Sequence, residues 1–220
     1  MDSRRAESFS DGVFAVAITI LIFNLLPIGR EALDYRVLAD AWPQYAAYVV
    51  SFLTIGIMWT NHHTLFGHIR LVDRQLLVIN LLLLMGIVAL PFPTALIAEH
   101  LTGPNQSGGQ PAAVVYGAVM IMIAFFYNAI WWYLRLHAEE RGAERSQPLL
   151  AGRPPGFGTG PVLSKIPRWG IGVFGYLVGT LVAGFVSAGA ALAVYGLLAI
   201  FYLFNHLPNA PGGDELAPGS

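Results

Sequence analysis

The chain has no cysteine, which excludes disulfides, thiolate metal sites and thiol redox chemistry. Charge is also scarce. Asp, Glu, Lys and Arg supply 11% of the 220 residues, against about 25% in an ordinary soluble domain. The two signs nearly cancel, at a formal net charge of −1, so there is no basic surplus for a nucleic-acid partner. Neither H-E-x-x-H nor any Gly-Lys-Ser/Thr is present. The glycines of GFGTG at 156–160 therefore read as flexible linker rather than a phosphate loop. No TVGYG run exists to build a carbonyl-lined ion filter, and no apolar span carries the spaced arginines of a voltage sensor.

What is abundant is apolar sequence. It makes up 55% of the chain, in blocks that match the roughly 20 residues a bilayer core requires. The pattern predicts an all-α, polytopic membrane protein with one six-helix domain over 1–207. Helix one is expected at 8–27, ended by Pro27 and Gly29, and is followed by a mixed-charge loop at 28–41. Helix two is expected at 42–66 and, after a turn at 67–74, helix three at 75–98, with Pro91 and Pro93 kinking or ending its regular part. A polar loop at 99–110 leads to helix four at 111–137. Residues 138–168 are rich in Gly, Pro and Arg and read as a flexible linker. Residues 170–203 carry no charge; as one helix they would be about 51 Å long, against a hydrocarbon core of about 30 Å. They therefore divide near 187–190 into helices five (169–187) and six (190–206), and 208–220 reads as a disordered tail. A cleaved leader is a rival reading of the N-terminus, opposed by Asp11 at the start of the apolar run and by the lack of an A-x-A-like site.

Six spans place both termini on one side. Arg4, Arg5, Arg70, Arg74, Arg135, Arg141, Arg145, Arg153, Lys165 and Arg168 share that side, and only Arg30 and Arg36 face the other. The excess of basic residues puts the N and C termini in the cytoplasm, in a multi-pass protein of the plasma membrane.

The stretch around which the rest is organised is 5–27. Polar groups at the head of a membrane-length helix are costly unless they have partners or a task. At about 100° per residue, Val16, Thr19, Ile20 and Phe23 share one face, while Ser10 and Asp11 lie on the far side from Val16. One face could line a pore while the other meets neighbouring helices; the same apolar face would equally serve for packing or lipid contact. Ser10, Asp11, His62, His63 and Asn80 gather near the cytoplasmic ends of helices one to three and should find one another, as a structural network or as a proton or ion relay. A Ser-His-Asp triad is disfavoured because adjacent Ser10 and Asp11 point about 100° apart. His62 and His63 diverge on a helix, and neither His68 nor Glu99 with His100 completes a metal spacing. No catalytic residue, metal site or cofactor is expected. Gly175 and Gly179 form a GxxxG pattern suited to close helix packing.

Arg5, Phe9, Ser10 and Asp11 fit R-x-x-x-F-S-D, followed by GVFAVAIT at 12–19. This resembles the first helix of the transmembrane protein 175 family, the endolysosomal potassium channels and their prokaryotic relatives. Trp59, His62, Leu65 and Phe66 are similar to the end of that family's second helix, and Asn80 with Leu90-Pro91-Phe92 to its third. The motifs span roughly 5–95. The resemblance implies a channel passing potassium ions down their gradient, and four six-helix repeats around one pore. A single-repeat chain such as this one would be a homotetramer in the lipid bilayer. It implies a pore lined by helix one, with constriction at Val16 and Phe23 and a hydroxyl ring at Thr19; Ile20 lies on the same face. It also implies that Arg5, Ser10 and Asp11, with His62 and Asn80, form the network that holds the pore helix. The chain departs from the family at the constriction, where Ile or Leu is usual. Val16 is smaller and widens a four-fold ring, and Phe23 is larger and narrows one. The alternative reading is a secondary transporter or proton-coupled carrier, favoured by the polar cluster but lacking half-to-half repeats. A non-transporting scaffold is a third.

Overall fold

Residues 3–29, 34–67, 69, 72–100, 108–144, 175, 177–181, 190 and 193–198 are described by a computed structural model. The first helix, α1 (Ser3–Ile20), passes directly into a 3-10 segment (Leu21–Gly29). Then follow α2 (Tyr35–Asp40), α3 (Trp42–Gly67), α4 (Arg74–Ala89), α5 (Pro91–His100) and α6 (Gly109–Glu144). Among the described residues, three helical runs, Ser3–Leu26, Arg74–His100 and Gly109–Leu134, are long and apolar enough to cross a membrane. The equally long α3 is more polar, and Ser51, Thr54, Asn61 and His62 are among its buried residues.

Local chemistry explains the boundaries. Asp73 caps α4: its Oδ1 accepts the backbone N–H of Leu76 at 2.9 Å, satisfying one orphan donor of the first turn. Tyr133 of α6 donates its hydroxyl to the other Asp73 oxygen, so the cap also ties α4 to α6. The α4–α5 break has a similar origin. Pro91 brings no N–H for the Ile87 carbonyl, which instead receives Leu90 N at 3.2 Å. Pro91 then begins α5, a position where a missing N–H costs nothing. Expected helix three is thus present as two helices with the interruption at Leu90.

Three other boundaries differ from expectation. The first helix begins at Ser3 rather than residue 8 and changes winding at Leu21. The expected loop at 28–41 contains α2, started by Asp34, whose side chain accepts Tyr35 N at 2.7 Å. The expected linker from 138 is helical as far as Glu144. Polarity bars AEERGAE from a bilayer, but Ala, Glu and Arg are good helix formers. The remainder of that linker, residues 187–189 of the expected division, the outer ends of expected helices five and six and the tail all lie outside the described residues.

The core is one apolar cluster. From α1 it takes Ala6, Phe14 and Ala17, with Leu21 of the 3-10 segment; Ile55 and Phe66 come from α3, Leu83 and Ile87 from α4, and Tyr116, Met120 and Ile123 from α6. The first helix packs on α3 and α4, the 3-10 segment on α3 and α5, and both α4 and α5 on α6. Further along the chain, Gly175 lies against Leu198 and Gly179 against Tyr195. Rising numbers meet falling ones, so these two helical pieces run antiparallel, with the GxxxG glycines at their contact. Tyr195 is buried against Tyr116 with ring centroids 5.1 Å apart, and donates to the Ala113 carbonyl at 3.2 Å. That closeness depends on Gly117: a Cβ there would collide with Thr180 Oγ1 and meet the Tyr195 hydroxyl at 2.5 Å.

Gly117→Ala is therefore expected to destabilise the folded protein by about 1–3 kcal/mol through overpacking. Gly12→Ala, whose added Cβ meets nothing within 4 Å, should not destabilise it, because Ala is favoured over Gly inside a helix by about 0.5–1 kcal/mol. Thermal unfolding in detergent checks this, and equal melting temperatures for the two variants would contradict the packing at Gly117.

Candidate functional site

The first helix divides sharply into two faces. Ser3, Ala6, Ser10, Phe14 and Ala17 are buried, as is Leu21, at the three-to-four-residue spacing of a stripe turned toward α3 and α4. On the opposite face Ser8, Phe9, Gly12, Ala15, Val16, Thr19, Ile22, Phe23 and Leu26 are all exposed in the single chain. Val16 is 53% and Phe23 59% accessible, far more than side chains meant for a protomer's own core. Ile20 is intermediate.

A directed chain of hydrogen bonds holds the buried face. His62 Nε2 lies 2.9 Å from Asn80 Oδ1; the amide oxygen can only accept, so the imidazole donates from Nε2. Asn80 Nδ2 donates to Ser10 Oγ at 3.0 Å. Ser10 Oγ then donates its only proton to the Ala6 carbonyl at 2.8 Å. Ser10, His62 and Asn80 are all fully buried. Three helices, α3, α4 and α1, are thereby joined end to end. The His62 ring stacks on Phe66 at 4.2 Å and tilts against Phe14 at 5.4 Å, so aromatic faces fix its plane. His62 Nδ1 is buried without a hydrogen-bond partner. In this tautomer it is a bare lone pair, cheaper to bury alone than an N–H. The donor chain ends on a backbone carbonyl, which accepts a hydrogen bond but does not relay a proton. This favours the structural reading of the cluster over the relay.

A second polar seam lies nearer the surface. Trp59 Nε1 donates to Asp11 Oδ1 at 2.8 Å, and His63 Nδ1 lies 2.9 Å from Glu7 Oε1. The Trp59 and His63 rings stack at 5.8 Å. Glu7 and Asp11 stand one turn apart on α1, and Trp59 and His63 one turn apart on α3, so the two pairs zip the helices together. Farther along, Asn24 Nδ2 donates to the Pro91 carbonyl at 3.2 Å, fastening the 3-10 segment to the start of α5.

Of the residues expected in the anchoring network, Ser10, His62 and Asn80 come together. Asp11 pairs with Trp59 instead, because it sits about 100° around the helix from Ser10. Arg5 is exposed and joins no part of this network among the described residues. It lies on the opposite face, more than a turn before Ser10, and the protomer's donor chain is complete without it. Sequence reasoning did not assign Trp59, Asn24 or the Glu7–His63 pair to the anchor. The available signals were the i, i+3 spacing of Trp59 to His62 and the isolation of Asn24 in an apolar run.

Thr19 Oγ1 keeps its one proton within its own helix, shared between the Ala15 carbonyl at 3.0 Å and the Val16 carbonyl at 2.9 Å. With its proton turned inward, its oxygen lone pairs face outward from the exposed stripe. The 3-10 winding also shifts Phe23. Three residues per turn place it directly over Ile20, rather than on the far side of Val16 from Ile20 as α-helical winding would.

A family model described as the endosomal/lysosomal potassium channel TMEM175 matches residues 5–91. A potassium channel of Streptomyces collinus is 41% identical over 219 residues, covering 99% of this chain and 98% of that protein. A potassium channel of Chamaesiphon minutus is 33% identical over 205 residues, 91% of this chain and 93% of the relative. The crystal structure of a lysosomal potassium-selective TMEM175 homologue from Chamaesiphon minutus superposes with a TM-score of 0.69 at 31% identity, covering 92% of this chain and 97% of that one.

Truncating the centre of the buried chain tests its role. Asn80→Ala leaves His62 Nε2–H unsatisfied and removes the donor to Ser10, a loss of about 1–3 kcal/mol. It should lower thermal stability in detergent clearly more than Trp59→Phe, which removes one bond at the partly exposed seam. The reverse order would place the main anchor at the seam.

Proposed function

The chain belongs to the TMEM175 family, and from that membership we propose that this all-α, polytopic membrane protein is a potassium-permeable channel lined by α1. The observation that carries the proposal is the two-faced first helix. One face is bolted to α3 and α4 through Ser10, Asn80 and His62. The other runs exposed from Ser8 to Leu26, uncovered by the rest of the described residues. One such stripe is a wall rather than a conduit, so several copies must meet around an axis; we take four, as a homotetramer of single-repeat chains. Six spans per subunit, cytoplasmic termini and residence in the plasma membrane belong to the same proposal. The antiparallel approach of Gly175 to Leu198 and of Gly179 to Tyr195 supports two spans after α6. No catalytic step, metal or cofactor enters, and potassium is only the permeant ion.

The mechanism follows from hydration. Apolar rings at Val16, Ile20 and Phe23 strip water from an entering cation or dewet the passage. Potassium holds its water less strongly than sodium, so partial dehydration penalises sodium more. Four Thr19 oxygens, with their lone pairs outward and their protons committed to the helix, replace part of the lost hydration. The anchor keeps these rings in place. An unanchored helix could rotate the stripe away from the axis, whereas a buried donor chain opposes rotation because any turn strands polar groups in an apolar surrounding.

In liposomes loaded with potassium, the purified protein should discharge the gradient without a coupled substrate or counter-moving proton; strict coupling would favour the carrier reading. In bilayer recordings, Thr19→Ala should move potassium-over-sodium preference toward equality. Unchanged preference and conductance in that variant would remove Thr19 from the path.

A further inference from the structure

We propose that Leu26 forms a further apolar ring of the pore, directly beyond Phe23, so that the outer part of the passage is a double constriction. The inference rests on α1 lining the pore, and it comes from the change of winding at Leu21. Had the helix stayed α-helical, Leu26 would lie about 60° around the axis from Phe23 and about 80° from Val16. The chain is instead 3-10 from Leu21 to Gly29. At three residues per turn, about 120° per residue, Ile20, Phe23 and Leu26 fall on one line. Phe23 and Leu26 are accessible to the same extent, 59% each, as residues on one edge should be.

The segment is also held in that orientation. Leu21 is fully buried, and Asn24, turned inward, donates to the Pro91 carbonyl at 3.2 Å. With positions 21 and 24 against the protein, positions 20, 23 and 26 cannot share their side. A 3-10 segment rises about 2 Å per residue, so the Phe23 and Leu26 rings stand about 6 Å apart. That gap is too short for an ion to regain a full hydration shell between them. The two rings therefore act as one apolar plug, longer than a single ring and more resistant to wetting.

The absence of cysteine from the chain makes the test clean. Single variants Val16→Cys, Thr19→Cys, Leu25→Cys and Leu26→Cys are reconstituted, and potassium current is recorded before and after a charged, membrane-impermeant thiol reagent. A thiol ionises, and hence reacts, only where water reaches it, as it does along the path while ions pass, so a lipid-facing position stays silent. The expected result is loss of most of the current for Val16→Cys, Thr19→Cys and Leu26→Cys, and little change for Leu25→Cys, which the 3-10 winding turns about 120° off the line. Leu26→Ala, a truncation at an exposed position, should in addition raise unitary conductance. Modification of Val16→Cys and Thr19→Cys but not Leu26→Cys, with parental conductance in Leu26→Ala, would overturn the second ring and leave the pore assignment standing. Silence at Val16→Cys and Thr19→Cys would overturn both together.

Discussion

One directed run of hydrogen bonds, from the His62 imidazole through the Asn80 amide and the Ser10 hydroxyl to the Ala6 carbonyl, determines how the first helix is oriented. In an apolar surrounding water cannot replace a broken bond, so these groups must be matched within the protein. Each group in the run has a fixed role, with Ser10 Oγ accepting from Asn80 and donating to Ala6. The carbonyl and the amide oxygen only accept, which dictates where the hydroxyl proton goes and which imidazole nitrogen is protonated. Because a turn of α1 would strand these buried groups, the run opposes rotation of α1 against α3 and α4.

That setting leaves a whole helix face uncovered, and the uncovered face has a graded chemistry. Gly12 and Ala15 are small, Val16 is apolar, Thr19 carries a hydroxyl turned into its own backbone, and Phe23 and Leu26 are large. Proline chemistry, acting at a distance, positions the far end of this face. Pro91 interrupts the third apolar run, and its own carbonyl, presented at the start of α5, receives Asn24. The 3-10 stretch beyond Leu21 is thus tied to the break between α4 and α5. The same residue that ends one helix helps aim the side chains of another.

Much of the fold was legible in advance because the solvent is severe. Apolar runs of bilayer length, punctuated by Pro27, Pro91 and the charged turn at 67–74, mark the helices found among the described residues up to α6. The wheel separated Ser10 from Val16 because α-helical periodicity holds strictly up to Ile20. Legibility failed where local winding changed or where polarity was mistaken for disorder. Phe23 and Leu26 sit beyond the switch to 3-10 winding, which no pattern of apolar residues announces. The AEERGAE stretch is too charged to enter a membrane yet is well suited to continue α6 past it. Arg5 precedes Ser10 in a recognisable motif, yet within the single chain the two side chains fall on different faces of the helix.

Composition, run length and residue spacing alone determined the helical membrane class and the two-faced first helix, because each depends on short-range periodicity and on the cost of polar groups in lipid; the motif at 5–19 carried the family likeness. Tertiary structure decided which polar residues meet. His62 reaches Asn80 and Asn80 reaches Ser10, Asp11 goes to Trp59, and Asn24 finds the Pro91 carbonyl 67 positions away. Those pairings depend on the depth and rotation at which separate helices pack, which no single stretch of the chain encodes.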